Sequence, residues 1–276
     1  MTASSLASST GRSVRVGGGL VSSLAVALAL GAVAQPALAT DYTIGLGAAL
    51  APDYEGSDDY KALPNWLFSA TDLYDPNTFV RIGGPELRSN FVPHPQMRAG
   101  LWGKYVPERD NASNNRVDNL DNTDLSVIVG ATVGWDLFPQ PTLSLIPAID
   151  AGGDVANGNG YLVSPRLSYF NALPESKFSL GSEVFATWAS DDYMEEYFGI
   201  SQRASQRSGL DTYNADAGFK DFGFGVTTTY SFTDTWSTTL AAQYKRMLND
   251  AEDSPVVNDV GNENQFLAAF TVNYKF

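Results

Sequence analysis

The last eleven residues, 266 to 276, put an apolar or small side chain at every even position: Phe266, Ala268, Phe270, Val272, Tyr274 and Phe276. A period of two describes an extended strand with one apolar face. The pattern recurs along the chain. Tyr42, Ile44, Leu46, Ala48 and Leu50 alternate with Thr43, Gly45, Gly47 and Ala49, and residues 125 to 137, 178 to 188, 222 to 232 and 236 to 244 repeat the scheme. The intervening face of these segments is small and polar. The fold is therefore all-β, and its strands bury or present apolar residues on one side only.

A soluble sandwich also alternates, so the environment of the apolar face has to come from other features. Aromatic residues stand at strand ends (Trp135, Trp188, Tyr230, Phe232, Trp236, Tyr244), where the two interfacial girdles of a membrane barrel would lie. The segments also outrun the usual sandwich strand of about 5 to 6 residues. A lipid-spanning strand needs only about 9 to 11 tilted residues, and its backbone groups must be paired in a closed sheet. The chain ends on Phe276 with Tyr274 two positions earlier. That ending resembles the signature by which outer-membrane barrels present their closing strand to the barrel assembly machinery. At the other end, Arg12 and Arg15 precede an apolar run and then Ala37-Leu38-Ala39, the form of a signal peptide over residues 1–39. Residues 40–276 would then form a transmembrane antiparallel β-barrel in a bacterial outer membrane.

The whole chain carries 17 Lys and Arg against 31 Asp and Glu, and the leader would take away two of the former and none of the latter. So acidic a chain offers no clustered positive surface for nucleic acid. With no cysteine, disulfides and thiolate metal sites are excluded.

Bacterial barrels have even strand numbers, short periplasmic turns and longer outer loops. Short turns at Pro139-Gln140-Pro141, Leu173-Pro174-Glu175 and Thr233-Asp234, with long loops at 107–123, 190–217 and 249–263, fit twelve strands. These fall near 42–51, 60–70, 78–83, 86–92, 97–106, 124–138, 142–151, 161–170, 177–189, 218–232, 235–248 and 265–276. The third and fourth depend on reading Gly83-Gly84-Pro85 as a tight turn, and ten strands is the alternative.

No catalytic residues emerge. The single histidine, His94, lies between Pro93 and Pro95 in a short connection with no serine placed to partner it. The glycines of 152–154 and 157–160 read as a turn between strands, with no helix after them to make a phosphate loop. Asp53, Glu55, Asp58 and Asp59 in one outer loop, and Asp250, Glu252 and Asp253 in another, match no calcium-loop template, so no specific metal site and no cofactor is assigned. Looser bridging through divalent ions to lipopolysaccharide, beside the surrounding lipid, is the expectation for such loops. The alternation turns Arg81, Glu86, Arg88, Arg98, Lys104, Arg166, Glu183 and Lys245 inward. Each Arg or Lys facing lipid near the midplane would cost about 2 to 4 kcal/mol, which favours that placement. Two readings remain open: a basic constriction selecting small solutes, or a lumen filled by paired charges.

Two loop segments carry residues that generic loops do not need. Tyr197-Phe198-Gly199-Ile200-Ser201, followed by Ser208-Gly209-Leu210-Asp211-Thr212-Tyr213, resembles a block of the MipA/OmpV family. Tyr244 to Leu248, then Asn249-Asp250-Ala251-Glu252-Asp253-Ser254-Pro255, is similar to a second block of it, and Pro52-Asp53-Tyr54-Glu55-Gly56 to its first hairpin. One departure is Asn249, where many relatives carry glycine; Asn tolerates a left-handed turn better than most residues. The resemblance implies an outer-membrane barrel without fixing one activity. Members are described as scaffolds for murein hydrolase or synthase complexes, as porin-like channels and as adhesins. The scaffold is the leading expectation, with a narrow channel or a surface adhesin as the alternatives, and whether loop 190–217 folds inward or projects is left open.

Overall fold

The computed structural model describes residues 40–276, so the expected signal peptide lies outside the described residues. Twelve antiparallel strands close into one barrel in simple up-and-down order. They are β1 (Asp41–Pro52), β2 (Tyr60–Thr71), β3 (Phe79–Gly83), β4 (Glu86–Asn90), β5 (Met97–Val106), β6 (Ser126–Trp135), β7 (Leu143–Asp154), β8 (Tyr161–Leu173), β9 (Phe178–Ala189), β10 (Gly218–Ser231), β11 (Trp236–Met247) and β12 (Asn264–Lys275). The even count of twelve holds, because Gly84 takes a positive φ of 53° in a two-residue turn that sets Gly83 opposite Glu86.

The barrel closes where the sequence ends. β12 pairs with β1 in a register that sets Val272 opposite Leu46. Tyr42 and Phe276 exchange both backbone hydrogen bonds, at 3.2 and 2.9 Å, and their rings stack 5.8 Å apart. The outward face carries the apolar half of the alternation: Ile44, Leu46, Val129, Val133, Leu240, Phe266 and Phe270 are all exposed, as a hydrocarbon environment requires. The inward face has small or polar residues at the same level, among them Thr132, Thr271 and Asn273.

Three differences from the sequence reading stand out. Gly152, Gly153 and Asp154 belong to β7, and the turn starts only afterwards. There the Asp154 carboxylate collects the amides of Ala156, Asn157 and Asn159, while Gly158 and Gly160 supply the positive φ of 77° and 78° that the turn needs. The long outer loops are not irregular. They hold five short helices: α1 (Asn115–Asp118), α2 (Asp191–Phe198), α3 (Gln202–Ser208), α4 (Asn249–Asp253) and α5 (Pro255–Asn258). And β10 carries a register shift between Phe219 and Asp221 that breaks its alternation.

Candidate functional site

The outer mouth of the barrel is closed by its own loops. α2 lies across it and buries Tyr193, Met194, Tyr197 and Phe198 against Trp102, Val106, Ile128, Leu162 and Met247 of the inner wall. Ala251 of α4 and Val257 of α5 complete that core. A second apolar cluster joins Tyr54, Val117, Leu120, Ile200, Ala204, Leu210 and Val256, so the first outer loop and the three long ones share one cap. Loop 190–217 thus folds inward.

Both blocks singled out in the sequence are spent on this cap, and they meet. Ser254 Oγ donates to the Phe198 carbonyl at 2.7 Å while accepting from the Val256 amide as the N-cap of α5, with Pro255 at the first helical turn. Tyr213 OH donates to the Asp250 carbonyl at 3.0 Å, and its backbone bridges Ile200. Tyr197 OH reaches Ser126 Oγ at 2.9 Å on the wall. A side chain on Gly199 would run into Glu195, and Gly209 ends α3 at φ 70° after Ser208. Asp253 closes α4. Asn249 holds φ 51°, so the departure from glycine keeps the left-handed conformation.

Beneath the cap sits the first of two charge clusters. Glu55 turns down from the first outer loop and meets Lys220 Nζ and Lys245 Nζ, each at 2.6 Å, and accepts from Tyr193 OH at 3.1 Å. Lys220 also pairs with Asp221 at 2.6 Å, and both are fully buried. The shift in β10 explains this: it turns consecutive residues, Lys220 and Asp221, inward together. Lys104 contributes a further positive charge to the group without a direct ion pair. Burial would raise the Glu55 carboxyl, but Lys220, Lys245 and Lys104 outweigh it and hold the group well below the usual carboxylate range. Burial, reinforced by Glu55, pushes the Tyr193 hydroxyl well above the ordinary tyrosine value.

The second cluster lies lower in the lumen. Arg88 forks onto Glu86 at 2.9 and 3.2 Å and reaches Asp150 at 2.8 Å, and Arg166 joins the same Asp150 oxygen at 2.9 Å. Trp102 Nε1 donates to Glu86 at 3.1 Å, Arg166 donates to Ser168 at 2.6 Å, and Glu183 stands in the field of both guanidinium groups. Arg98 is apart from both clusters, at the periplasmic end, on Asp136 and the His94 carbonyl. Arg81 faces the lumen directly across from Arg88, is exposed, and makes no ion pair among the described residues.

The eight inward charges of the sequence reading therefore divide by level rather than forming one ring. The alternation also puts their partners Asp136, Asp150 and Asp221 on the inward face, but it carries no sign of Glu55 or Lys220. Glu55 reads as a solvated loop acid until the loop folds inward, and Lys220 is on the wrong parity until β10 bulges. His94 is a turn residue: its Nδ1 accepts from the Gln96 and Met97 amides at 3.1 and 3.0 Å. The acidic loops are likewise engaged by protein, with Asp250 accepting from the Asp216 amide and Glu252 paired to Arg246 at 2.6 Å.

A closed, amphipathically inverted sheet with a girdled apolar outside and a charged, capped inside defines a class: the plugged outer-membrane β-barrel. Residues 44–276 match the family described as MltA-interacting protein MipA, and the chain belongs to that family. Among its relatives, "Putative outer membrane protein YiaT" of Escherichia coli O157:H7 is 24% identical over 227 residues, covering 80% of this chain and 87% of that one. The MltA-interacting protein of Escherichia coli K12 is 27% identical over 157 residues, covering 57% of this chain and 60% of that one. Among solved structures, Pseudomonas putida OprB aligns over 86% of this chain and 93% of its own, at 10% identity and a TM-score of 0.43.

Proposed function

We propose that this protein acts through its surfaces and not its bore, as an outer-membrane scaffold holding a peptidoglycan-remodelling enzyme at its periplasmic rim. The observation that carries this reading is the cap. An apolar core contributed by four loops and the inner wall blocks the outer mouth, and two clusters of ion pairs line the lumen beneath it. Solute passage would require unpacking that core, at a cost of about 25 cal/mol for each Å² of apolar surface exposed. The name of the 27%-identical MltA-interacting protein supports a murein hydrolase or synthase as the partner. The inward fold of loop 190–217 speaks against a projecting adhesive loop.

The test has two arms. In a planar bilayer the refolded barrel should show no unitary conductance, whereas discrete steps would overturn the closed reading. Crosslinking in cell envelopes should recover a lytic enzyme or synthase on the periplasmic connections, and recovery of none would overturn the scaffold. A narrow channel is the second reading, favoured by one observation: Arg81 is a solvent-open cation in the lumen with no carboxylate paired to it. Ion selectivity that changes on substitution of Arg81 would establish it.

A further inference from the structure

The wall of this barrel is not continuous. β2 pairs with β3 only over residues 67–71, because β3 and β4 together form a hairpin of five residues a side. β2 itself runs on upward to Tyr60, held on its other edge by β1 along its whole length. The last bond to the hairpin is from the Gly84 amide to the Trp66 carbonyl at 3.0 Å. Above it the edge of β2 from Tyr60 to Trp66 has no strand beside it, and the next strand across is β5, whose Tyr105 amide bonds back to Pro85 of the hairpin tip. β5 itself ends at Val106, one residue past that bond, so above the hairpin tip the bare edge of β2 faces the loop that follows β5 and no strand.

The gap has a lower and an upper border. Gly84 and Pro85 form its sill. At the top the Ser113 amide donates to Asp53 at 2.8 Å and Lys61 pairs with the same carboxylate, which brings the 107–125 loop across to β2. The opening is therefore a window in the side of the barrel. It lies at lipid level: Trp66, the last residue tied to the hairpin, is opposite Leu46, the most exposed apolar residue of the outer belt at 75%. Pro64, which has no amide hydrogen to leave unpaired, occupies the bare edge.

What lies inside the window is selective in two ways. Leu63 is on the inward face of β2, yet it is 46% exposed, against the rule that apolar side chains here point out; Asn65 follows it on that face beside Gly84 of the sill, and Leu67 follows Asn65. Below them Arg81 stands three residues, about 10 Å along the strand, beneath Gly84 of the sill. The only residue above it on that face of β3 is Gly83, so no side chain of β3 stands between the guanidinium and the window. Two leucines flanking a single amide, open sideways to lipid and leading down to an accessible unpaired cation, fit one chemistry.

We propose that this window admits a single-chain anionic amphiphile from the outer leaflet, its acyl chain along Leu63 and Leu67 and its carboxylate on Arg81. Arg81 is the member of the lumenal set best able to take a ligand, since Arg88 and Arg166 are already occupied by Glu86 and Asp150. Removing it should leave the fold intact, because its nearest charged neighbour is another arginine.

The test is saturable binding of cis-parinaric acid, a fluorescent long-chain carboxylate, to the folded barrel in non-ionic detergent, with palmitate and hexadecanol as competitors. Palmitate should displace the probe and hexadecanol should do so at least about tenfold less well, the contrast expected of a charge-assisted hydrogen bond. Arg81→Gln should weaken binding by a similar factor. Gly83→Asp gives a second route: a Cβ there meets nothing nearer than Leu67 at 3.5 Å, and the new carboxylate would occupy Arg81. Folding of both variants is read from heat-modifiable gel mobility. Absence of saturable binding, equal competition by the alcohol, or folded R81Q and G83D proteins that bind like the parent would each overturn the proposal.

Discussion

Glu55 is the single bond between the first outer loop and the buried charges, and replacing it by glutamine isolates that role. The amide keeps the shape and one acceptor, so it can still take the Tyr193 hydroxyl, but it removes the charge facing Lys220 and Lys245 at 2.6 Å. Lys220 is fully buried and would retain only Asp221, whose second oxygen already lacks a partner. Breaking a buried pair costs about 3 to 5 kcal/mol, and the lower end applies here because Lys245 is partly accessible and Asp221 still compensates. About 3 kcal/mol raises the open population of the cap by about a hundredfold. Hydrogen exchange reads this directly at the α2 amides, such as Met194 and Gly199, which open with the cap. Because the folded protein holds Glu55 well below its unfolded value, its contribution is complete above the unfolded carboxylate range and is lost as pH falls through the depressed value. The parent's protection should therefore be full at neutral pH and decline progressively from the ordinary carboxylate range downward, a dependence absent from E55Q. Lys220→Met in the E55Q background should recover much of the loss, since it removes the uncompensated charge. Exchange at α2 within about threefold of the parent in E55Q would refute the argument.

Three further outcomes follow from the same geometry. Ser254→Ala removes the donor to the buried Phe198 carbonyl and the cap of α5 together, and should cost about 1 to 3 kcal/mol, seen as faster proteolysis within 190–217. Asn249→Gly should cost less than about 1 kcal/mol and Asn249→Val clearly more, because φ is 51° there; thermal midpoints in detergent separate the two. Asp150→Asn leaves Arg88 and Arg166 sharing only Glu86 and Glu183, and should lower the unfolding midpoint in urea by the equivalent of about 2 to 4 kcal/mol without opening the cap, since Asp150 bonds only Arg88 and Arg166 and the cluster meets the cap core only through Trp102 on the wall.

How much of this could be read from the sequence depends on the range of each signal. The strands were legible because lipid imposes a period of two on every one of them, and even the short β3 and β4 declared themselves through Gly83-Gly84-Pro85. The positions of inward charges were legible for the same reason, up to Lys220, where one extra residue in β10 reverses the parity. Pairing was not legible. Glu55 and Lys220 are 165 positions apart, and nothing local distinguishes Glu55 from Asp58 or Asp59 beside it. The cap was half legible: Tyr197-Phe198-Gly199 and Asp253-Ser254-Pro255 stood out as more specific than loops require, but their mutual contact depends on two separate loops folding over the same mouth.

The cap and the charges below it depend on each other. A buried ion cluster is favourable only where its members are fully paired and hydrogen-bonded, and water entering from above would weaken each attraction by raising the local dielectric. α2 excludes that water with Tyr193 and Phe198 while Tyr193 itself hydrogen-bonds Glu55, so the same helix seals the cluster and belongs to it. In return Glu55 ties the first loop down, and that loop carries Gly56, whose φ of 99° and contact with Val257 let it pass beneath α5. Apolar packing, backbone geometry and ion pairing are thus joined in one lid. A device that opened this mouth would have to pull apart four loops and unpair the buried Lys220 and its neighbour Lys245 from Glu55 at once. The side window needs none of that, because its lower border is the short β3–β4 hairpin and it lies below the packed cap. If anything enters this barrel from the outer leaflet, the physics of the cap directs it to the wall.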